Sequence, residues 1–547
     1  MNRIVSVAGT AAGRLLARRL PYPLEPGPSG AAIARTWGEA DAIVVFLAVG
    51  ATVRLIAPHL SSKDRDPAVV AVDEAGETVV VVVGGHHGGN QLANEVAALL
   101  GAKPVVTTAT DRRGLPALDE MIGLPAEGDY RGVARLMLEG ARPVLRNRLS
   151  WPIPCAAAFG DGPGTVIVTD ELTEVGADVC LLRPPSLVAG VGCSSDATEQ
   201  EVADAIGASL ERAGLSKLSL ALVATIDARS GHPSILALGL PVSSFDSQSL
   251  SQYSVPNPSQ VVAEAVGTPS VSEAAALAAS GGELLLEKQV FAKVTVAIAR
   301  RSPRGHLSVV GIGPGAPEER TFRATTAIRQ AQVVVGFSGY LELIDDLTVG
   351  TQDLYGSPIG EELDRVVRAV ALARAGFRVA LVCSGDPGVY ALATLVFEHL
   401  ESLGAALEVE IVPGVTSALS GAARLGAPLG HDHVAISLSD LLTPWELIAK
   451  RVELAASGDF VITFYNPRSA GRSHQLGQAL QIIARHRQPS TPVGTIRNIG
   501  RKDERTRVTT LGEFDPETVD MLTTVIVGSS RTRNYAGQMF TPRGYQL

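Results

Sequence analysis

A chain of 547 residues that is 46% hydrophobic has the length for roughly three or four domains, each able to bury a core. Its net charge of −9 argues against a nucleic-acid partner, which would favour a basic surface, so any basic groups that matter must act locally. The longest apolar runs, such as Ile43–Val49 and Val79–Val83, fall far short of a membrane span.

The amino terminus carries Arg3–Val7 and then Gly13–Leu20, where the basic residues follow the apolar run. A secretory leader needs the reverse order, so a strand followed by a helix is expected, in a cytoplasmic protein. Cys155, Cys180, Cys193 and Cys383 form no CxxC pair, which fits a reducing compartment and no zinc site. Residues 1–125 then alternate strand-like runs (Ile4–Ala8, Ile43–Val49, Val69–Val72, Val79–Val83, Val105–Thr107) with helical segments such as Gln91–Leu100. That alternation predicts a small α/β domain.

Its candidate functional edge is Gly84–Asn90, directly after the Val79–Val83 strand. The glycines let backbone and ligand approach closely, and the adjacent imidazoles of His86 and His87 suit proton transfer. A tight turn with solvated histidines fits the spacing equally well. Metal ligation fits worse, because neighbouring side chains on an extended loop point apart and no further His/Cys cluster lies nearby, so no metal site is expected.

Together with Gly50–Pro58, Ser62-Lys63, Asp66–Val70 and Thr107–Asp111, this loop resembles the amino-terminal domain of the cobalamin-synthesis protein CbiG. The resemblance implies opening of the δ-lactone of cobalt-precorrin-5A with release of acetaldehyde, with His86 and His87 as catalytic candidates. It also gives Arg54 and Lys63 a task against substrate carboxylates, although ordinary surface charge explains either residue alone.

Residues 126–185 carry scattered prolines and read as a connecting region with some short strands. Regular structure resumes with the strand Leu187–Cys193, and Thr198-x-x-Glu201 is a capping box before a helix with Val202, Ile206 and Leu210 on one face. Leu218–Ile226, Pro241–Phe245, Val255–Ser259, Pro269–Leu277, Lys288 and Val294–Ala299 follow, and residues 186–300 resemble the carboxy-terminal domain of CbiG and the related CobE proteins. Where that resemblance leads one to expect basic residues, this chain has Ser194-Ser195-Asp196. A short basic Pro/Gly linker, residues 301–306, comes next.

In the remaining 307–547, three apolar runs each stop at a turn: Leu307–Gly311 at Gly311–Gly315, Val379–Cys383 at Ser384–Gly388, and Val409–Val412 at Pro413–Ser417. In an open α/β sheet such loops converge on one crevice, so they are expected to build one site. Gly311-x-Gly313-x-x-Ala316 satisfies a loose dinucleotide fingerprint. Pro314, however, removes an amide where a pyrophosphate needs one, and the next strand, Val333–Gly336, ends in Phe337-Ser338 with no carboxylate for a ribose. A nucleotide-dependent oxidoreductase is therefore the weaker reading.

The ordered set of those turns with Ser437–Trp445 and Phe464–Ser469 resembles the tetrapyrrole methylases, and within them the precorrin-3B or cobalt-factor III C17-methyltransferases. The implied fold is α/β and multidomain: two small domains of CbiG type, then a two-lobed class III S-adenosylmethionine-dependent methylase with lobes of about 307–416 and 425–547. The resemblance places Gly385, Asp386, Val389 and Tyr390 beside the cosubstrate, Thr416, Ser417 and Asn466 nearby, and Gly311, Gly313, Pro314 and Gly315 under the tetrapyrrole. It makes Tyr465 and Arg468 catalytic candidates and implies a homodimer through the methylase half. Among other basic groups, Arg472, Arg497 and Arg501 could pair with substrate carboxylates, a solvated role being preferred for Arg472 and Arg501; His431 and His433 are proton-transfer candidates. Phe337-Ser338 departs from the Tyr-Asp of uroporphyrinogen methylases and argues against C2/C7 specificity. For the first 300 residues, a non-catalytic carrier of labile tetrapyrroles stays open beside the lactone hydrolase.

Overall fold

A computed structural model describes residues 3–545 apart from 63–64, 86–87, 107–114, 122, 349, 470 and 472. The amino-terminal unit is a five-stranded sheet in chain order, Ile4–Ala8, Ala42–Phe46, Ala68–Val72, Thr78–Val83 and Lys103–Val105, parallel except for the third and fourth strands. Ala42–Phe46 and Ala68–Val72 are buried at every position because helices cover both faces. The second strand ends at Phe46, short of the expected Val49, because the apolar run continues directly into the helix Val49–Ile56. Gly84 and Gly88 are both in the left-handed region, and Gly88 precedes the helix Gly89–Leu100. His86, His87, Lys63 and Thr107–Asp111 lie outside the described residues.

Residues 126–182 do more than connect. They form a four-stranded sheet ordered Ala126–Gly128, Val179–Leu182, Gly162–Val168 and Pro143–Asn147, with a core of its own around Trp151, Phe159, Val166 and Leu182. Arg183, fully buried beside it, donates to the carbonyls of Thr169 (3.0 Å) and Glu171 (2.6 Å) and to the Glu127 carboxylate (2.5 Å). The next unit is a five-stranded sheet ordered Val242–Phe245, Leu220–Ile226, Leu187–Cys193, Val294–Arg300 and Glu283–Val290. The capping box forms as read: Glu201 N–H donates to Thr198 Oγ1 (3.3 Å), and Thr198 N–H to Glu201 Oε2 (2.7 Å).

The carboxy-terminal half has two lobes, each a five-stranded sheet. In the first, all strands are parallel, in the order Asp353–Ser357, Val333–Phe337, Arg378–Cys383, His306–Gly311 and Glu408–Val412. The three strands that carry the glycine turns are therefore immediate neighbours, and their carboxyl ends face one side. The second lobe orders His433–Ser437, Val461–Tyr465, Thr523–Val527, Pro492–Arg497 and Arg505–Thr510. The helix Ser417–Leu425, which leaves the third turn, packs on this second sheet and so joins the lobes.

The linker is pinned rather than loose, since Arg301 N–H and Nε donate to the carbonyls of Ser186 and Pro185, both at 2.8 Å. Two further contacts seat the amino-terminal half on the first lobe. Cys155 N–H donates to Asp353 at 3.1 Å, and Glu95 lies between Tyr22 and the buried Arg329.

Candidate functional site

The first and second turns are stitched by reciprocal backbone bonds, Gly385 N–H to Gly313 O at 2.7 Å and Gly313 N–H to Gly385 O at 3.2 Å. The third closes on both. A Cβ at Gly414 would stand 2.1 Å from Gly385 O and 2.7 Å from Gly311 O, and one at Gly311 would stand 2.6 Å from Gly385 O, so only glycine permits this approach. Asp386 links two turns, accepting from Gly388 N–H (2.8 Å) on Oδ1 and from Gly414 N–H (3.1 Å) on Oδ2.

The second lobe completes the wall through two tyrosines. Tyr465, last residue of its strand, accepts from Ala418 N–H at 3.1 Å and shares a 2.5 Å hydrogen bond with Thr416 Oγ1. Tyr390, held at positive φ, donates to Ala435 O at 2.9 Å, and its ring lies 5.2 Å from that of Tyr465. Asn466, also at positive φ, donates to Ser437 Oγ at 3.1 Å.

These groups enclose a cavity of about 240 Å³ lined by Gly385, Asp386, Val389, Tyr390, Thr416, Ser417, Tyr465 and Asn466. The structure thus brings eight of the sequence-read residues to one hollow. Gly311, Gly313, Pro314 and Gly315 are not in its lining; they form the layer behind it, where Arg501 Nε donates to Pro314 O at 3.1 Å. The cavity opens at a shared rim of Glu362, Tyr390, Ala391, Leu392 and Asn466 into a larger hollow of about 1130 Å³ between the lobes. Val434, Ile436, Leu395, Leu441, Leu442 and Met521 make that hollow mainly apolar, with His433 and Arg451 among its polar groups.

Four contributors were not read from the sequence as site groups: Tyr340, Glu362 and Arg365 line the smaller cavity, and Arg501, read as solvated, lies against its wall. Burial pushes the Tyr340 phenol up, with the Arg501 guanidinium 5.9 Å from its ring centroid. Arg365 is buried, donates to Ser357 Oγ (2.9 Å), Pro358 O (2.7 Å) and Glu362 Oε1 (2.9 Å), and keeps an unpartnered Nε. Cys383 is buried behind the second turn, and desolvation lifts its thiol to about 11, so it stays protonated.

Arg468 needs a correction. The resemblance makes it a catalytic candidate, but it lines neither hollow: it pairs with Glu517 and donates to Pro516 O at 3.2 Å. The Glu517 carboxylate raises its pKa further. Arg497 is likewise paired, with Asp520 at 2.8 Å, and His431 with Asp432 at 3.1 Å. Arg472 lies outside the described residues. In the amino-terminal half Arg54 turns back on its own helix, donating to Gly50 O at 3.2 Å, and Asp196 is held by Lys293 (3.1 Å) and Ser194 (2.8 Å).

The smaller cavity offers an apolar wall (Val389, Leu392, Phe337), aromatic faces, small loop residues and side chains of both signs, Glu362 and Arg365. A folded nucleoside with a zwitterionic tail fits that set.

A family profile described as Tetrapyrrole (Corrin/Porphyrin) Methylases matches residues 306–515. Profiles described as Cobalamin synthesis G N-terminal and Cobalamin synthesis G C-terminus match 31–111 and 187–299. A probable cobalt-factor III C(17)-methyltransferase of Salmonella typhimurium is 46% identical over 241 residues, which is 44% of this chain and 100% of that protein. A precorrin-3B C(17)-methyltransferase of Sinorhizobium sp is 45% identical over 250 residues, 44% of this chain and 97% of that protein. Among solved structures, that of the methyltransferase CobJ is 40% identical, covers 44% of this chain and 100% of its own, and superposes with a TM-score of 0.42.

Proposed function

The chain belongs to the tetrapyrrole methylases, and from that premise we propose that its carboxy-terminal half methylates C17 of precorrin-3B or cobalt-factor III during cobalamin synthesis, using S-adenosylmethionine. The observation that carries this reading is the pair of communicating hollows: a small one walled by three interlocked turns and Tyr465, and a large, mainly apolar one able to take a macrocycle. S-adenosylmethionine supplies a sulfonium methyl group. The residues that would hold it are Gly385, Asp386, Val389, Tyr390, Thr416, Ser417 and Asn466, with Arg365 for its carboxylate. Their contribution is alignment and exclusion of water, since a displacement at carbon needs both and needs little acid strength from the protein. Calorimetric titration with S-adenosylmethionine, and assay with cobalt-loaded and metal-free acceptors, test the reading and identify the acceptor; protein that neither binds nor methylates overturns it.

Tyr465→Phe removes the oxygen that receives Ala418 N–H and bonds Thr416. Leaving those groups unsatisfied costs about 1–3 kcal/mol. Binding of S-adenosylhomocysteine is expected to weaken roughly 5- to 150-fold, read by calorimetry.

For residues 1–300 we propose opening of the δ-lactone of cobalt-precorrin-5A, supported by the two profile matches on either side of the Ala126–Leu182 sheet. Acetaldehyde release that disappears in His86→Ala and His87→Ala supports it; a wild type that binds the substrate and releases none makes this half a carrier. A cytoplasmic homodimer through the methylase half completes the proposal. No described helix is long and apolar enough to cross a membrane, and Leu441 and Leu442, beside the large hollow, are 83% and 98% exposed. Sedimentation equilibrium is expected to give twice the 56.9 kDa chain mass, and Leu442→Glu a shift toward the monomer.

A further inference from the structure

Methyl transfer from a sulfonium to a carbon acceptor leaves one proton to be placed. The S–CH3 bond breaks with its electron pair remaining on sulfur, the new C–CH3 bond takes a π pair from the macrocycle, and the macrocycle acquires the positive charge. Loss of one acidic hydrogen from the acceptor restores neutrality. A base where the two hollows meet is placed to take that proton, since the reading above puts the donor in one and the acceptor in the other.

We propose that Glu362 is this proton acceptor, the general base of the methylation. The proposal rests on the methyltransferase reading above and adds to it the residue that completes the reaction. Five residues line both hollows, Glu362, Tyr390, Ala391, Leu392 and Asn466, and Glu362 carries the only carboxylate among them. The other titratable groups around the small cavity are committed. Both oxygens of Asp386 hold backbone amides, Tyr390 donates to Ala435 O, and Tyr465 is bonded to Thr416 and Ala418. Tyr340 and Cys383 are held protonated by burial.

Glu362 differs from them in geometry. The bonds it receives, from Arg365 Nη2 at 2.9 Å and Gly360 N–H at 3.3 Å, both fall on Oε1. Its side chain is 47% exposed, so a captured proton can pass to water, while that of Arg365 is 6% exposed and fixes its position. As first residue of the helix Glu362–Arg374, its anion also sits at the favourable end of the helix dipole. Besides Cys383, the charged and titratable groups that line the two hollows with it are Arg365 from its own helix, Tyr340 from the Ser338–Leu341 turn, Asp386 and Tyr390 from the loop after Arg378–Cys383, Tyr465, and, around the larger hollow alone, Glu398, His433 and Arg451.

The test is Glu362→Gln, which keeps the shape and the acceptor oxygen for Arg365. Single-turnover methylation is expected to slow about 100-fold or more, within the range general bases contribute. The acid limb of the wild-type pH–rate profile is expected to vanish in the variant. Binding of the tetrapyrrole alone, followed by its absorbance with no methyl source present, is expected to change less than threefold, which separates lost proton transfer from a damaged site. A variant that methylates within threefold of wild type, or that keeps the acid limb, overturns the role of Glu362 and leaves the methyltransferase reading standing. A variant that loses tetrapyrrole binding as steeply as rate also overturns it, in favour of a structural role. Wild-type protein that transfers no methyl group overturns both.

Discussion

Replacing Gly414 by alanine is expected to abolish binding of the methyl donor and, with it, methylation. The added Cβ would meet Gly385 O at 2.1 Å and the carbonyl of Gly311 at 2.7–2.8 Å. All of these are backbone atoms at the ends of paired strands, so no flexible side chain can swing aside. The third turn must therefore retreat, and its retreat breaks two further links: Gly414 N–H leaves Asp386 Oδ2, and Thr416 leaves Tyr465. Overpacking costs about 1–3 kcal/mol and a lost bond to a charged acceptor about 1.5–3 kcal/mol. The sum corresponds to an affinity loss on the order of 100-fold or more. Calorimetry with S-adenosylhomocysteine reads this directly. The substitution lies within the methylase lobes, so the melting transition of the amino-terminal half is expected to stay in place. Undiminished binding in Gly414→Ala would mean that the interlocked turns do not hold the cosubstrate.

These turns were legible because each announces itself twice. An apolar run names a buried parallel strand, and the Gly/Pro/Asp cluster after it names the place where the strand must stop. That is why Val379–Cys383 was read within one residue of the observed Arg378–Cys383, and why the three turns could be assigned to one crevice before any coordinates. Glu362, Arg365 and Tyr340 gave no comparable signal. They sit on ordinary short-period helix and turn sequence, and only the sheet order, which sets Val333–Phe337 and Asp353–Ser357 beside Arg378–Cys383, carries them to the hollow. Arg468 fails for the opposite reason. It lies three residues after Tyr465, but past Asn466 at positive φ its guanidinium reaches Glu517 instead of the cleft. Chain adjacency to a site residue is poor evidence for a shared site once the backbone turns. In 126–182 the prolines that suggested a connector mark edges of structure: Pro143 opens a strand, Pro163 lies where the pairing of Gly162–Val168 shifts register, and Pro152 and Pro154 flank the buried Ile153.

Glu95→Ala is expected to loosen the amino-terminal domain from the methylase without stopping methylation. Arg329, on the first lobe, is 8% exposed, and burial depresses its pKa; the Glu95 carboxylate 3.7 Å away opposes that shift and favours the charged form. Tyr22 Oη donates to the same carboxylate at 2.5 Å, its phenol pushed strongly up by burial. One side chain therefore accepts from a half-buried hydroxyl of its own domain and sets its charge against a buried cation across the seam. Removing one partner of a buried pair costs about 3–5 kcal/mol, because the remaining charge is stranded. Glu95 is partly exposed, so water repays some of that and about 2–3 kcal/mol is the expected cost. For units of this size that lowers a melting midpoint by roughly 4–12 °C. The tryptophans report separately, Trp37 and Trp151 from the amino-terminal half and Trp445 from the methylase. The prediction is an earlier transition sensed by Trp37, with the Trp445 transition and methyl transfer nearly unchanged. The single change Arg329→Met removes the stranded cation while keeping an apolar body, and in the Glu95→Ala background it is expected to recover most of the loss. Coincident transitions at the wild-type midpoint would show that the Glu95 seam contributes nothing, and would leave the Cys155–Asp353 contact to hold the amino-terminal half against the first lobe.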